Sequence, residues 1–222
     1  MSIHTISDAA IRRLPGYYRS LRQLEAAGVS QISSKELGEM LHQTPSQIRQ
    51  DFNAFGGLGR QGFGYEVREL RQRIGEVLGL NRGYRVIILG AGSIGTAVAR
   101  YPTFAREGFE TLALFDCDPE RIGRNAGGAP VLDIAGLEDF LRTHTVDIAV
   151  LALPADAAQD AMRRLEAGGV PAVWNFAPVN LQYESGRMDV VNVHLSESLQ
   201  VLTYKMARRA EAGQPSGGAP EE

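Results

Sequence analysis

The sequence predicts an α/β protein in two parts: a small, mostly helical front, and a larger back built on a parallel sheet with helices on both faces. Three observations predict it. From Arg85 onward, short apolar runs alternate with helical stretches, the pattern of repeated strand-helix-strand units. Between Ser33 and Asn53, two short helices with their own start signals lie almost end to end. Between these halves, Asn81-Arg82-Gly83-Tyr84 reads as a linker.

Taken in order, Asp8 to Ala27 carries Ile11, Leu14, Tyr18, Leu21 and Leu24 at spacings of three and four, one face of a helix that Gly28 closes. Pro15 falls inside it and is expected to break or bend its early part. Ser33-Ser34-Lys35-Glu36 is a capping box that starts a helix running to about Leu41. Thr44-Pro45-Ser46-Gln47 repeats the device, with Thr44 as cap, Pro45 at the first helical position and Gln47 expected to close the box. Two short helices joined tightly behind a longer one form a helix-turn-helix pattern. In the second, Ile48, Phe52 and Phe55 share a face that should be buried. Ser46, Gln47, Arg49, Gln50 and Asn53 are then left outward, as a solvated face or as side chains suited to base edges and phosphates. The glycine-dense hairpin from Gly56 to Tyr65, with Arg60 near its tip, tilts that choice towards DNA, because it has the form of a wing laid against the duplex. Val67 to Leu80 returns to helical spacing and closes the front domain.

The back half is organised around Arg85 to Phe115. Val86-Ile87-Ile88-Leu89 feeds into Gly90-Ala91-Gly92-Ser93-Ile94-Gly95, then a helix, then Leu112-Ala113-Leu114-Phe115 and Asp116. A strand before the glycines, a helix after them and an acid ending the next strand make up the dinucleotide-binding fingerprint. The glycines turn the chain, open backbone to the pyrophosphate and pack helix on strand, while the helix N-terminus offers free N–H groups. Asp116 is placed to accept the adenosine ribose hydroxyls, which favours NADH and NAD+ over their 2′-phosphorylated relatives; the alternative is that it only opens an Asp-Cys-Asp-Pro turn.

Further strands are expected at Val131-Leu132, Asp147 to Leu153, Val170 to Phe176 and Val190 to Val193, with helices over Ile134 to Leu141 and Ala155 to Ala167. Ligands of such a sheet gather at the carboxyl ends of its strands, which adds Leu153, Pro154, Asn175 and Phe176 to the candidate cofactor site. Ser196 to Arg209 forms a last helix with Leu199, Leu202 and Met206 on one side, to be packed on another subunit or on its own chain. From residue 212 to 222 the chain has too little apolar content to order itself.

Composition bounds the function. The chain has 222 residues, 44% hydrophobic and 22% charged, and no apolar run approaches the ~20 residues that span a bilayer. No secretory signal is read at the N-terminus, and the lone Cys117 fits a reducing cytoplasm. Net charge is −3, but residues 1–80 sum to +2 and residues 81–222 to −5, a balance that permits a nucleic-acid partner at the front. The scattered histidines show no metal-ligand spacing and no nucleophile is paired with a base.

The two halves together resemble the Rex family of NADH-responsive transcriptional repressors over nearly the whole chain. The resemblance rests on Arg13-Leu14-Pro15 with Tyr17-Tyr18-Arg19, Ser33-Ser34-Lys35-Glu36-Leu37, Gln47-Ile48-Arg49 with Asp51-Phe52, Phe55-Gly56, Gly62-Phe63-Gly64-Tyr65, the glycine turn, Tyr101-Pro102, Phe115-Asp116 with Asp118-Pro119, and Asn175-Phe176-Ala177-Pro178. It implies a winged-helix DNA-binding domain over residues 1–81, a Rossmann-like NAD(H)-binding domain over 82–195, and a C-terminal helix over 196–211 swapped between the subunits of a homodimer. It also implies a cytoplasmic regulator that is not an enzyme, bound to palindromic operator DNA in its apo or NAD+ state and released by NADH.

By the same resemblance, Arg19, Tyr101 and an acid before the last helix exchange partners between redox states. Here His194 stands in place of that acid, and an imidazole cannot hold Arg19 as a carboxylate would. Leu195 falls where an apolar side chain lies near the nicotinamide, and Gln61 replaces a basic residue of the wing. Two rival readings are an NAD-dependent dehydrogenase with an accessory N-terminal domain, and a coenzyme A module. The first lacks a substrate domain and a general base, and the second is disfavoured by Asp116, which would face the ribose 3′-phosphate of that coenzyme.

Overall fold

Ser7 opens helix α1 (Asp8–Ala26), its hydroxyl accepting the Ala10 N–H at 3.3 Å. In a computed structural model, which describes residues 6–54 and 64–213 (side chains to 210), α1 is one continuous helix through Pro15. The expected break does not occur: the carbonyl that proline leaves without a donor belongs to Ile11, which is 43% exposed and open to water. The buried stripe is Ala10, Leu14, Tyr17 and Leu21, while Ile11 of the expected stripe is exposed and Tyr18 and Leu24 are half-buried.

A two-residue strand, β1 (Gln31–Ile32), leads into α2 (Ser34–Leu41), whose capping box is fully formed. Gln43 donates to the Gly38 carbonyl at 2.9 Å, and a Cβ on Gly38 would sit 2.6 Å from the Gln43 oxygen, so glycine lets the turn close. Helix α3 (Pro45–Asn53) starts under Thr44, whose hydroxyl accepts the Gln47 N–H at 3.2 Å. The second half of the expected box is absent, because the Gln47 side chain turns forward to Asp51 instead. Strand β2 (Tyr65–Glu66) pairs antiparallel with β1, and α4 (Val67–Val77) follows. Leu14, Tyr17, Leu21, Leu37, Ile48, Phe52, Leu70 and Ile74 form the core of this unit. Phe52 meets Tyr17 and Tyr65 edge to face, with ring centroids 5.1 and 5.0 Å apart. Phe55, most of the glycine-dense hairpin, Arg60 and Gln61 lie outside the described residues.

The chain divides into two compact units between Gly83 and Tyr84, at the end of the expected linker. The second unit is built on a sheet of β3 (Tyr84–Leu89), β4 (Phe109–Asp116), β5 (Asn125–Ala126), β6 (Ala129–Asp133), β7 (Ile148–Leu151), β8 (Ala172–Asn175) and β9 (Asp189–Asn192), in the order β5-β6-β4-β3-β7-β8-β9. All neighbours are parallel except β5 on β6. That order, apart from β5, is the doubly wound Rossmann arrangement, whose direction of progression reverses between β3 and β7.

Successive residues of β3 point to opposite faces. Ile87 and Leu89 pack with α7 (Leu137–Thr143) and α8 (Ala155–Ala167), through Leu137, Ala158, Met162 and Leu165. Val86 and Ile88 lie on the other face with Val98 and Ala99 of α5 (Ser93–Ala99) and with Phe109 and Trp174. A further short helix, α6 (Pro102–Arg106), precedes β4. The β5-β6 hairpin was not expected from the sequence; Gly127 and Gly128, at φ +64° and +93°, make its two-residue turn. The last helix, α9 (Leu195–Gly213), begins one residue early and reaches into the segment expected to be unstructured; residues 214–222 lie outside the described residues.

Candidate nucleic-acid interface and dinucleotide site

On α3 the buried residues are Ile48, Asp51 and Phe52. Ser46, Arg49, Gln50 and Asn53 are exposed and Gln47 is half-buried, so the residues expected to face a duplex do share an open face. Two of them already have neighbours: Ser46 Oγ lies 3.1 Å from Thr44 Oγ1, and Arg49 Nη1 donates to Ser34 Oγ at 3.0 Å.

Asp51 interrupts the apolar stripe of α3, and a charge there needs partners. It has four. Arg13 of α1 donates from Nε to Oδ2 and from Nη2 to Oδ1, both at 2.7 Å; Tyr17 Oη donates to Oδ2 at 2.7 Å and Gln47 Nε2 to Oδ1 at 2.9 Å. Burial would raise the carboxyl pKa, but the hydrogen bonds from Arg13, Tyr17 and Gln47 more than offset it and hold the group below its ordinary value. Burial and the Asp51 hydrogen bond push the Tyr17 phenol up, so it remains a donor. This cluster fastens α3 to α1. The clue in the sequence was an acid at the i+3 position of an i, i+3, i+4 buried set (Ile48, Asp51, Phe52), and it was read only as part of a motif.

In the second unit the glycine turn follows β3 at the reversal point of the sheet. Gly90 adopts φ +101°, and a Cβ there would lie 2.3 Å from the Ala152 carbonyl oxygen. A Cβ on Gly95 would fall 1.8 Å from the Gly90 oxygen. Gly92 is different, since the nearest atom to its Cβ position is Arg121 Nη1 at 3.8 Å. The space above Gly92 is thus open to a ligand, as the pyrophosphate of a dinucleotide requires. Ala91 is buried, whereas Ser93 and Ile94 at the start of α5 are exposed.

Asp116 ends β4 with its side chain 7% exposed, and its oxygens accept the Ala91 N–H at 2.7 Å, the Asp118 N–H at 2.9 Å and Arg121 Nη1 at 3.1 Å. Both readings of this residue are therefore met in part: it opens the turn into Asp118, and it also clamps the glycine loop. Arg121, which the sequence reading passed over, is 45% exposed and closes the outer side of the carboxylate, so a ribose must share or displace that contact.

Of the remaining candidates, Leu153 is half-buried and Pro154 exposed, after β7. Asn175 is fully buried, and its side chain serves its own loop: Oδ1 accepts the Ala177 N–H at 2.9 Å, while Nδ2 donates to Asn192 Oδ1 at 2.9 Å and to the Val179 carbonyl at 3.2 Å. It braces the Asn-Phe-Ala-Pro segment rather than pointing a free group outward. Phe176 packs edge-on against Trp174 at 4.6 Å, and Tyr101, 55% exposed before α6, packs against Phe104 at 5.1 Å. Leu195 is 61% exposed at the start of α9, and His194 immediately precedes it. Arg19 is exposed on α1, in the other unit.

Comparison with known proteins covers both units. A family described as CoA binding domain matches residues 81–179, and one described as putative DNA-binding protein N-terminus matches residues 5–53. The redox-sensing transcriptional repressor Rex of Clostridioides difficile is 48% identical over 201 residues, 90% of this chain and 95% of that protein. That of Clostridium tetani is 45% identical over 206 residues, 93% of this chain and 97% of its own. Among solved structures, RSP, a Rex-family repressor, superposes with a TM-score of 0.84 at 40% identity, covering 92% of this chain and 95% of that one. RSP in complex with NADH gives 0.85, and RSP with NAD+ and operator DNA gives 0.84, both at 40% identity. With close relatives spanning nearly its full length, the chain belongs to the Rex family of redox-sensing transcriptional repressors.

Proposed function

We propose that this chain is a homodimeric repressor that reads the NADH/NAD+ ratio, holding palindromic operator DNA in its apo or NAD+ state and letting go when NADH binds. One observation carries the reading: a helix-turn-helix unit with an open α3 face and a sheet with an open glycine cradle at its reversal point occur on one chain, across which the Rex resemblance is nearly complete. Relatives at this identity are named repressors, which favours this reading over the dehydrogenase. The Asp116 carboxylate favours an unphosphorylated adenosine ribose, and so NAD(H) over NADP(H) and coenzyme A.

In this reading Ser46, Gln47, Arg49, Gln50 and Asn53 meet the major groove and Arg60 of the wing meets the backbone or minor groove. Gly90 to Gly95 hold the pyrophosphate, Asp116 the ribose, and Tyr101, Leu153, Pro154, Phe176 and Leu195 border the nicotinamide. NADH differs from NAD+ by a hydride and the ring's positive charge, so an apolar border prefers the reduced form. That preference moves DNA affinity only if the two forms favour different dimer arrangements, with Arg19, Tyr101 and His194 as the contacts that differ. Among the described residues no helix is long and apolar enough to cross a membrane, and a repressor of this kind works in the cytoplasm.

Fluorescence anisotropy of a labelled operator duplex, titrated separately with NADH and with NAD+, tests the reading. Release by NADH at concentrations where NAD+ leaves the complex intact is expected. Equal responses to both would rule out redox sensing.

A further inference from the structure

The four donors on Asp51 have a consequence for sequence recognition that rests on the repressor reading. An ionised carboxylate has only lone pairs to offer, and here Oδ1 takes Arg13 Nη2 and Gln47 Nε2 while Oδ2 takes Arg13 Nε and Tyr17 Oη. The amide atom 2.9 Å from Asp51 must therefore be the Gln47 nitrogen, since a flipped amide would set its oxygen against the carboxylate. Gln47 thus has one N–H committed, with its carbonyl oxygen and one N–H left for a partner. It is the third residue of α3, in the N-terminal turn that brings side chains to base edges in a helix-turn-helix complex.

We infer that Gln47, held in one amide orientation by Asp51, selects an adenine in each operator half-site, with Asp51 as its positioning residue. Adenine is the base whose major-groove edge sets an N–H donor beside an acceptor, N6 beside N7, which matches the free carbonyl and N–H of the amide. Guanine presents O6 and N7, both acceptors, and would leave the Gln47 carbonyl facing an oxygen. Cytosine and thymine each satisfy one group only. In solution a free glutamine could turn its amide to suit guanine, and the Asp51 bond removes that option. The side chain is also ordered before DNA arrives, so less rotamer freedom is lost on binding.

Selection from a pool of randomised duplexes, followed by sequencing, tests this on the full chain. The wild type is expected to enrich adenine over guanine at one position of each half-site by about tenfold to a hundredfold, the range of a good bidentate base contact. Gln47→Ala should level that position and leave the preferences at the others. Asp51→Asn can accept or donate towards Gln47, so it should admit guanine there. Because that change costs the first unit stability, Gln47→Glu serves as a second probe: its carboxylate only accepts and is turned away from Asp51, and the position should move from adenine to cytosine. Tyr17→Phe, which keeps the Asp51 to Gln47 bond, should retain the wild-type preference. An unchanged profile in Gln47→Ala, or wild-type preference for guanine at the position that variant levels, overturns the inference alone. Failure of the wild type to select any site overturns the repressor reading and this inference with it.

Discussion

Gly92 and Gly95 stand three residues apart in the same turn, yet they should respond oppositely to an added methyl group. A Cβ on Gly95 would lie 1.8 Å from a backbone oxygen of the turn itself, so Gly95→Ala must displace the strand-to-helix connection. Overpacking of that kind costs about 3 kcal/mol or more, or about 6 to 12 °C of melting temperature in a chain of this size. Gly92→Ala has room in the protein and should melt within about 2 °C of the wild type. Its methyl would occupy the space reserved for the pyrophosphate, so NADH affinity should fall about tenfold or more by isothermal titration, while the fold is kept. Both glycines were legible from the motif, but their different tolerances were not, because they depend on what the tertiary structure places above each Cα. Asp51 shows the same limit: its charge on an apolar stripe was visible in sequence, whereas Arg13, Tyr17 and Gln47 as its partners required the packing of α1 on α3. Asp51→Asn should destabilise the first unit by about 3 kcal/mol, the lower end for a broken buried pair, because Arg13 is 26% exposed and partly relieved by water. The Asp51 carboxyl is held below its ordinary 3.8, so the stability it contributes is complete above that pH and is lost as pH falls through the depressed value. Urea melts of wild type and Asp51→Asn should therefore differ by a constant gap from about pH 5 to 8, and that gap should narrow below about pH 4.

Elements with a strong local signal were readable from sequence, and those defined by a distant partner were not. The capping box of α2 needs only Ser33 and Glu36, and the helix was anticipated from Ser34 to about Leu41, where it ends. The two-residue strands β1, β2 and β5 are too short to show alternation and exist through their pairing, so β1 and β5 were missed. Pro15 was read by its usual effect inside a helix, but packing of Leu14, Tyr17 and Leu21 into the core keeps α1 continuous around it. Helix α9 is the opposite case, regular in sequence yet without cover for its apolar side chains among the described residues. Leu195, Leu199, Leu202 and Met206 recur at spacings of four, three and four, and are 61%, 62%, 51% and 63% exposed. Each such side chain gains about 1.5 to 3 kcal/mol when fully buried, so the stripe has the makings of a strong intersubunit contact. Size-exclusion chromatography with light scattering should report a dimer for the wild type and a monomer for Leu199→Asp with Leu202→Asp, since burying two carboxylates would reverse that gain. A wild-type monomer at micromolar concentration would remove α9 as the dimer contact.

At the scale of the whole molecule, the proposed switch must carry a contact around the nicotinamide to α3 through residues that belong to different units. Arg19 sits on α1 of the first unit, whereas Tyr101 and His194 belong to the second. A ligand can shift a two-state dimer only by the difference in its affinity for the two states, and tenfold release of DNA needs about 1.4 kcal/mol of such difference. In the proposed switch, a carboxylate before the last helix would supply part of that difference by pairing with Arg19 in one state and giving it up in the other. His194 cannot form that charge-assisted pair, which predicts a smaller response to NADH than a carboxylate would give. Restoring the acid should enlarge it: in His194→Asp, the ratio of operator Kd with NADH to that with NAD+ is expected to rise by about fivefold to tenfold. That is the scale of one hydrogen-bonded ion pair formed in a single state. The gain must run through Arg19, so Arg19→Ala should abolish it in the His194→Asp background. A double-mutant cycle on the Kd ratio separates this coupling from any general loss of DNA affinity. If His194→Asp raised the ratio equally with and without Arg19, the added charge would be acting on the cofactor site directly, and the arginine exchange would not be part of the switch in this protein.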